Sequence, residues 1–415
     1  MIELAFGPTL SLMQGYRIGI IGFGSIGKVH AWSYSALPYY YNPLPFNARV
    51  VAVATAHQHS ADAAARVCGA ERASTDFRDI TEAADIDVVH ICSPNDQHLP
   101  QLQSALSHNK HIYCDKPLLA NWTEAVQLLP ALAAHRGRFG VAFQIRFFPV
   151  VLRAAQLLSG GRLGRILSFR VSYLHSGSAD PQAPARWKLT SAAGGGVIAD
   201  LASHVGDLLA ALGAEITELS AQSAISFATR PAADDPQQRV TIDAEDHVVA
   251  LVRAAFGGAE PALGTIEATK IATGSEDELR LELHGTDGAL RFNSMTPHWL
   301  ELFDATRPDT PLGGERGWTR IDVGQRYPEP AAAFPGPKFA MGWVRCHLAS
   351  IAEFLFALHH NRSHRPGIIE ALWVQQLIET LQRSARLKQP RIPLTPSAIR
   401  DLLRDAVSAD ATEHA

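Results

Sequence analysis

A short apolar strand that runs directly into a glycine-rich turn constrains the fold of this chain more than any other feature. Residues 17–21 read Arg-Ile-Gly-Ile-Ile, and a Gly-x-Gly-x-x-Gly turn follows at 22–27. The first glycine of such a turn makes the bend, the second lets backbone approach a pyrophosphate, and the third lets a helix pack on the strand. The helix N–H groups then face the phosphates. The turn predicts a dinucleotide site formed by Gly22, Phe23, Gly24, Ser25, Ile26 and Gly27.

The chain before residue 145 alternates strand-like and helix-like segments. Short apolar runs predict strands at 17–21, 50–54, 88–92, 111–114 and 139–143. This alternation is typical of a doubly wound parallel sheet with helices on both faces. We therefore predict an α/β fold whose first domain, residues 15–145, binds a dinucleotide.

From residue 166 the pattern changes to strands that follow each other with few helices between them. Strands are predicted at 166–173, 218–227, 247–256, 263–272, 278–284 and 289–292. Helices at 196–212 and 344–359 would cover one face of this sheet. The second domain, residues 146–390, is thus predicted to be α+β with an open, mostly antiparallel sheet that binds substrate and mediates oligomerisation. Residues 1–14 and 391–415 are interpreted as terminal extensions.

Two proline-containing segments interrupt these patterns. The segment 38–46 includes three consecutive tyrosines and is interpreted as a packed surface loop, with a subunit contact as the alternative. The segment 306–340 is dense in Pro and Gly and predicts a long ordered loop or flap.

The composition excludes several classes of protein. The net charge of −4, with no run of Lys or Arg, argues against a nucleic-acid partner, and nothing suggests membrane attachment. The four cysteines are widely spaced without a Cys-x-x-Cys pair, which fits reduced thiols better than disulfides or a zinc site. A cytoplasmic location is the resulting expectation.

The end of the second predicted strand bears on the choice of dinucleotide. In NAD-binding versions of the turn, an Asp or Glu at this point accepts hydrogen bonds from the adenosine ribose. Here the strand ends in Thr55-Ala56-His57, so no carboxylate is present. The sequence therefore predicts NAD or NADP as cofactor and leans slightly towards NADP, although no arginine is placed to clamp a 2′-phosphate.

Ligands of open α/β sheets lie beyond the carboxyl ends of the strands, so the residues after each strand are candidates for contact. After the third of the predicted strands come Ser93, Pro94, Asn95 and His98, which would line the nicotinamide half of the cofactor. A turn without ligand contact is an equally good interpretation of this stretch.

Asp115 and Lys116 follow the next strand, just before a proline. A strand end in the cofactor crevice is a poor place for a lysine whose only role is to interact with solvent. To accept a proton, Lys116 would need its pKa lowered from about 10.4 towards about 7 to 8, and burial or the positive nicotinamide ring would act in that direction.

Three glycines in the second half, at 194–196, lead into a helix that carries Asp200, His204 and Asp207. The spacings i, i+4 and i+7 predict that the three lie on one helix face. An Asp beside a His suits proton transfer from a hydroxyl group, because the imidazole relays the proton while the carboxylate orients the ring. A solvated helix face is the alternative, and metal ligation is less favoured because no third ligand stands at a short spacing; no metal is predicted.

Together these residues resemble the Gfo/Idh/MocA family of nicotinamide-dependent oxidoreductases, over residues 15–390. The resemblance rests on the glycine turn with His30, the Ser93–Asn95 turn with His98, Asp115-Lys116-Pro117 where the family usually has Glu-Lys-Pro, and the glycine run before Asp200, His204 and Asp207. It implies a Rossmann domain followed by an α/β domain whose sheet often forms the subunit contact, hence a homodimer or homotetramer.

The resemblance also implies roles for individual residues. Lys116 would be the catalytic lysine, and Asp200 and His204 would be the pair that grips and deprotonates a hydroxyl group of the substrate. Arg146 and the pair Trp187-Lys188 match positions of substrate contacts. The cofactor contacts would include Thr55, Ser93, Pro94, Asn95, His98, Asp115 and Lys116.

The sequence thus predicts an NAD(P)-dependent dehydrogenase that acts on CH–OH groups and transfers hydride at a carbinol carbon of a sugar, sugar derivative or cyclitol. One alternative is a dinucleotide and sugar sensor without turnover. Another is a glycoside hydrolase that uses transient oxidation by bound NAD.

Overall fold

A six-stranded parallel sheet forms the first half of the protein. The computed structural model describes residues 14–332 and 334–413, so the predicted N-terminal extension lies outside the described residues except for its last position. The strands are β1 (Gly15–Ile21), β2 (Asn47–Ala54), β3 (Arg72–Ser74), β4 (Val88–Ile91), β5 (His111–Cys114) and β6 (Phe139–Val141). The helices are α1 (Ser25–Tyr40), α2 (Gln58–Cys68), α3 (Arg78–Thr81), α4 (His98–Ser107) and α5 (Trp122–Ala134).

The strand order β3-β2-β1-β4-β5-β6 places β1 beside both β2 and β4. The order reverses at this point, and a crevice opens there at the carboxyl ends of the strands. β1, β2 and β4 are buried along most of their length, as continuous apolar runs in a parallel sheet require. β3 was not predicted because Arg-Ala-Ser at this sheet edge has no apolar run.

A larger sheet forms the second half, and the predicted open, mostly antiparallel architecture is confirmed. The strands are β7 (Ile166–Leu174), β8 (Ala214–Ala224), β9 (Thr229–Pro231), β10 (Arg239–Thr241), β11 (His247–Phe256), β12 (Ala262–Thr269), β13 (Glu278–Gly285), β14 (Gly288–Asn293), β15 (Trp299–Asp304) and β16 (Trp318–Asp322). Eight of them pair in the order β16-β15-β14-β13-β7-β12-β11-β8, while β9 and β10 form a separate hairpin. Only β7 and β12 pair in parallel within this sheet.

Helices cover one face of the larger sheet and also reach the first one. They are α6 (Pro149–Ser159), α7 (Ser203–Ala211), α8 (Val344–His359), α9 (Ile368–Leu387) and α10 (Pro396–Glu413), and a π-helical turn at Ile198–Ala202 leads into α7. α8 packs on α1 and α10 packs on α5, so the last helices of the chain brace the first domain. No helix among the described residues is long and apolar enough to cross a membrane.

Two expectations about irregular segments need correction. The segment 306–340 is not wholly a loop, because β16 lies within it and pairs with β15. The segment 38–46 begins inside a helix, since α1 continues through Pro38 to Tyr40. Pro38 lacks only one backbone donor near the helix end, and the adjacent Leu37 and Tyr41 are buried, so packing outweighs that loss.

Candidate active site

A cleft of about 1210 Å³ lies between the carboxyl ends of the parallel strands and the ends of central strands in the larger sheet. Its first wall consists of the glycine turn and the residues that follow β2, β4 and β5. Its second wall comes from the end of β7, the residue just before β13, the π-helical turn and the start of α8. The cleft is therefore the place where residues from both halves meet.

The glycine turn has the geometry that a dinucleotide requires. Gly22 has a φ of +86°, and a Cβ there would lie 2.6 Å from the Cys92 carbonyl group. A Cβ on Gly27 would lie 2.2 Å from the Gly22 oxygen, whereas one on Gly24 would meet nothing within 4 Å. The first turn of α1 has no side-chain cap and no acidic residue, so its N–H groups remain available for phosphate. Phe23, Ser25 and Ile26 also line the cleft.

The end of β2 offers the cleft neutral groups. Thr55 lines the cleft, and its hydroxyl bonds the Ser60 hydroxyl at 2.7 Å and the His57 carbonyl oxygen at 3.0 Å. Among the residues that the structure describes, the others lining the cleft near Thr55 are Ala54, Ala56, Ser60, Thr75 and Phe77. Neither a carboxylate nor a cation is among them.

The turn after β4 contributes both contact and support. Ser93, Pro94 and Asn95 line the cleft, and the Asn95 amide donates a buried 2.9 Å hydrogen bond to the Gly194 carbonyl of the second half. His98 is fully buried and does not line the cleft. Its ring nitrogens lie 3.0 Å from the carbonyl oxygens of Ser93 and Leu118, and the single N–H of a neutral imidazole donates to one of them.

Lys116 reaches across the cleft to the second half of the protein. It leaves the end of β5 with its backbone N–H bonded to the Asp115 carboxylate at 2.9 Å. Its Nζ donates to the carbonyl oxygen of Asp200 at 2.7 Å and to Asp200 Oδ1 at 2.8 Å. A tetrahedral nitrogen with two such bonds has one position left, which carries a proton in the ammonium form and a lone pair in the amine.

Asp200 lies between three lysines. Besides Lys116, Lys188 Nζ lies 3.0 Å from Oδ1, and Lys270 Nζ lies 2.9 Å from Oδ2. Burial alone would raise the pKa of Asp200, but the three ammonium charges hold it well below its usual value. Asp200 is therefore an ionised carboxylate at any working pH. The sequence did not predict Lys270 as a site residue.

The π-helical turn changes the expected relationship of Asp200, His204 and Asp207. A π-helical turn departs from the 3.6-residue period, so a face read from regular α-helical spacing is not preserved across it. Asp200 and His204 both line the cleft, while Asp207 does not. Asp200 and His204 also form no hydrogen bond, because the Asp200 oxygens are taken by lysines, so the expectation that the carboxylate orients the ring is corrected.

His204 is a buried, neutral imidazole at the cleft. Its ring lies edge-on to the rings of Phe143 and Tyr173, with centroids 5.9 and 5.8 Å away. Burial lowers the pKa of His204 well below its ordinary value, and the charge of Lys116 lowers it further. Its Nδ1 is buried without a partner among the described residues. The ring can thus exchange a hydrogen bond, but it does not hold a permanent charge.

Arg146 does not lie in the cleft where the resemblance places it. Its guanidinium forms a two-pronged ion pair with the buried Asp207 carboxylate, with Nε donating to Oδ2 at 3.0 Å and Nη2 donating to Oδ1. Arg146 lines a separate cavity of about 630 Å³ instead. Burial raises the pKa of Asp207 to about 6 even though Arg146 acts in the opposite direction. Trp187, by contrast, lines the cleft as predicted, beside Lys188.

Sequence reasoning missed a polar trio at the carboxyl end of β7. The Tyr173 hydroxyl donates to Asp277 Oδ1 at 2.6 Å, and His175 Nε2 donates to the same oxygen at 2.9 Å. All three residues line the cleft. Trp343 and His347 from the start of α8 complete this wall. The expectation that ligands lie beyond the carboxyl ends of strands could have predicted Tyr173 and His175. It requires knowing that β7 points towards the cleft, which the sequence does not show.

The described residues contain no group of three or more His, Cys, Asp or Glu side chains arranged to hold a metal ion. Lys116 and Lys188 pair with Asp200 at the cleft, and His175 pairs with Asp277.

Comparison with known proteins places this geometry in a family. A family model described as an oxidoreductase family with an NAD-binding Rossmann fold matches residues 16–143, and a GFO/IDH/MocA C-terminal domain matches residues 151–291. Levoglucosan dehydrogenase of Pseudarthrobacter phenanthrenivorans is 30% identical over 386 residues, which cover 90% of this chain and 97% of that protein. The chain belongs to the Gfo/Idh/MocA family.

Further relatives of this family member include inositol 2-dehydrogenase of Rhizobium meliloti, 29% identical over 69% of this chain and 78% of that protein. The solved complex of levoglucosan dehydrogenase with NADH and levoglucosan has a TM-score of 0.85 at 30% identity, over 92% of this chain and 99% of that one. The Gfo/Idh/MocA prediction, the fold class and the prediction of a dehydrogenase acting on CH–OH groups are confirmed, and an NAD-binding Rossmann domain is confirmed as part of the cofactor prediction.

Proposed function

We propose that the protein transfers hydride between a nicotinamide cofactor and a carbinol carbon of a sugar, sugar derivative or cyclitol. The observation that carries the proposal is the contact between Lys116 and Asp200 across the cleft. It holds an amine with one open position next to a neutral His204 and between the two halves of the protein. The relatives named for levoglucosan and inositol support a polyhydroxylated substrate.

Lys116 manages the hydroxyl proton in this proposal. In the amine form, both N–H bonds of Nζ point to Asp200, so the lone pair is aimed at the remaining direction and accepts the substrate proton. In the reverse reaction the ammonium form returns that proton to the carbonyl oxygen. His204 donates or accepts a second hydrogen bond to the reacting oxygen and stays uncharged.

The nicotinamide, when bound, supplies the hydride chemistry. The glycine turn and the free N–H groups of α1 would hold the pyrophosphate, and Ser93, Pro94 and Asn95 would flank the nicotinamide half. Asp115 supports this end through its bond to the Lys116 backbone, and burial raises the pKa of the Asp115 carboxyl.

Polar groups around the reacting carbon would recognise the other hydroxyls of the substrate. Asp277 and His175 offer an acceptor and an imidazole on one side, and Lys188 offers a donor on the other. The ring of Trp187 gives the apolar face of a sugar a flat surface. Donors and acceptors in such a pattern suit a polyol better than a simple alcohol.

We propose that the enzyme accepts NADP as well as NAD. The absence of a carboxylate at the Thr55 end of the described cleft removes the repulsion that a 2′-phosphate would meet. The absence of a cation there limits any preference for NADP, which keeps the advantage slight.

The assembly would be a homodimer or homotetramer formed through the open face of the larger sheet. Apolar side chains are exposed on that face, among them Val249, Leu251 and Leu263, at 42%, 57% and 51%. Exposed apolar surface of this kind marks contact with another protein surface.

The domain limits 15–145 and 146–390 remain part of the same proposal. Four unpaired cysteines support a reducing, cytoplasmic location.

A screen of the purified protein tests the proposed function. Levoglucosan, cyclitols, aldoses and glycosides are offered with NAD and with NADP while the absorbance of the reduced cofactor is followed. Growth of the signal with a polyol, and its loss in Lys116→Ala, supports the proposal. Cleavage of a glycoside without net reduced cofactor points to transient oxidation, and tight binding without either activity points to a sensor.

A further inference from the structure

Lys270 is a buried charged side chain that touches the active site without entering the cleft. It lies immediately after β12, its side chain is 10% exposed, and it is not among the residues that line the cleft. Its ammonium lies 2.9 Å from Asp200 Oδ2. The proposed reaction gives this lysine no role, although a buried ammonium requires compensation for its lost hydration.

The fold fixes the position of Lys270 through its backbone. The backbone N–H donates to the Asp246 carbonyl at 2.9 Å, and the carbonyl accepts from the Ser178 N–H at 2.7 Å. β7 and β12 run in parallel with Thr269 opposite Leu174, so Lys270 and His175 follow the two strands at the same end of the sheet. The side chain therefore extends from a rigid base towards Asp200.

The three lysines bind the two oxygens of Asp200 differently. Oδ1 accepts from Lys116 at 2.8 Å and from Lys188 at 3.0 Å. Oδ2 lies 2.9 Å from Lys270 and accepts a longer bond from Lys188 at 3.2 Å, so Lys270 is its nearest cation. The Lys188 side chain is 48% exposed, so water and salt screen its charge. Lys270, at 10%, acts through a medium of lower dielectric and has the stronger effect on the carboxylate.

We propose that Lys270 is a positioning residue for hydride transfer: it anchors Asp200 Oδ2, so that Oδ1 and the carbonyl oxygen hold the Lys116 amine with its open position towards the substrate. The inference rests on the proposed function and assigns the charge that keeps Asp200 ionised and in place. Lys270 does not touch substrate or cofactor and acts only through Asp200.

The surrounding groups agree with this role. Burial lowers the pKa of Lys270 and Asp200 raises it again, so the two charges depend on each other. Without Lys270, two lysines instead of three would counteract the rise that burial causes in the pKa of Asp200. The titratable groups facing this pair are Lys116, Lys188, His204, Tyr173 and Glu245.

The test measures carbonyl reduction as a function of pH in wild type, Lys270→Met and Lys270→Arg. In this direction the reaction needs the Asp200 carboxylate ionised, so protonation of Asp200 lowers the rate at acid pH. Wild-type Asp200 stays ionised throughout the working range, so this acid limb should enter the range only in a variant that raises the pKa of Asp200. We expect Lys270→Met to lower kcat/KM by at least about tenfold and to move the acid limb up by about 1 to 3 pH units, with unchanged NADH affinity. Lys270→Arg should return the limb towards its wild-type position.

Lys110→Met is the matched control. Lys110 is also buried, but its ammonium bonds only backbone carbonyls, at Ala83 and at 2.8 Å from Ile86, outside the cleft. This variant should lose stability and leave the acid limb where it is. A Lys270→Met profile that superimposes on wild type, or a limb shift of equal size in Lys110→Met, overturns the positioning role.

A second readout does not depend on turnover and separates this inference from the proposed function. The protein is labelled with ¹³C at the Asp carboxyl carbons, and the Asp200 signal is assigned by its loss in Asp200→Asn. We expect its titration to move to higher pH in Lys270→Met and not in Lys110→Met. If no polyol is oxidised by wild type, the proposed function fails, while an unshifted Asp200 titration overturns the role of Lys270 alone.

Discussion

The Lys116 ammonium lies 2.7 Å from the backbone oxygen of Asp200 and 2.8 Å from its Oδ1, although 84 positions separate the two residues in the chain. One follows a strand of the parallel sheet, and the other lies in the π-helical turn that enters α7. The contact therefore joins the two halves of the protein across the cleft. Any motion that separates the halves also breaks this contact.

Asn95→Ala should weaken the attachment between the two halves. The substitution removes the buried 2.9 Å hydrogen bond to the Gly194 carbonyl and leaves that oxygen without a donor. We expect a loss of about 1 to 3 kcal/mol in the free energy of unfolding, measured by denaturant titration. Asp96→Ala, at the exposed neighbouring position, is the control and should change stability by less than about 0.5 kcal/mol. Equal effects of the two variants would count against the interdomain bond.

Arg146→Leu should destabilise the protein more than the double variant Arg146→Leu/Asp207→Leu. The single change leaves the buried Asp207 carboxylate without its partner, for which we expect a loss of about 3 to 5 kcal/mol. The double change removes both charges and should recover most of that stability. Thermal and denaturant unfolding of the three proteins measure this, and a double variant no more stable than the single one contradicts the account.

Asp207→Asn should change how stability depends on pH. The folded pKa of Asp207, about 6, lies above the unfolded value of about 3.9, so the folded state binds its proton more tightly. The resulting stabilisation of wild type is complete below about pH 4 and is lost as pH rises to about 6, a change of about 3 kcal/mol. The variant has no carboxyl group to titrate at this position. The free energy of unfolding of the variant should therefore rise relative to that of wild type as the pH increases from about 4 to about 6. A difference that stays constant with pH would contradict the raised pKa.

Thr55→Asp should make the enzyme selective for NAD. The new carboxylate would stand at the end of β2, where it can accept hydrogen bonds from the ribose and repel a 2′-phosphate. We expect the ratio of NADPH to NADH dissociation constants to rise by about tenfold or more, measured by quenching of protein fluorescence. Thr55→Asn, which adds the same bulk without charge, is the control. An unchanged ratio in Thr55→Asp would mean that the cofactor ribose lies elsewhere.

The sequence predicted the parts of the site that local chain geometry determines. The glycine turn and Lys116 lie at strand ends, and a parallel sheet brings strand ends to one edge whatever the remaining fold. Asp277 and Lys270 could not be predicted in the same way, because their placement depends on which distant strands pair with β7.

Helix periodicity gave a partial result for a different reason. The spacing of Asp200 and His204 brought both to the cleft, but the π-helical turn altered the spacing on which the position of Asp207 depended. Asp207 consequently pairs with Arg146, and neither residue lines the cleft. A π-helical turn has no sequence signature as clear as a capping residue or a proline, so the departure became visible only in the structure.

Transfer of isotope from substrate to cofactor tests the central claim most directly. A polyol that is active in the screen is prepared with deuterium on the reacting carbinol carbon and incubated with NAD and either wild type or Lys116→Met, and the nicotinamide is analysed by mass spectrometry. We predict deuterium in the reduced cofactor of the wild-type reaction and a rate lower by about 10²- to 10⁴-fold in Lys116→Met, with both proteins saturated with NAD. Undiminished transfer in Lys116→Met, or reduced cofactor without deuterium, would contradict the account.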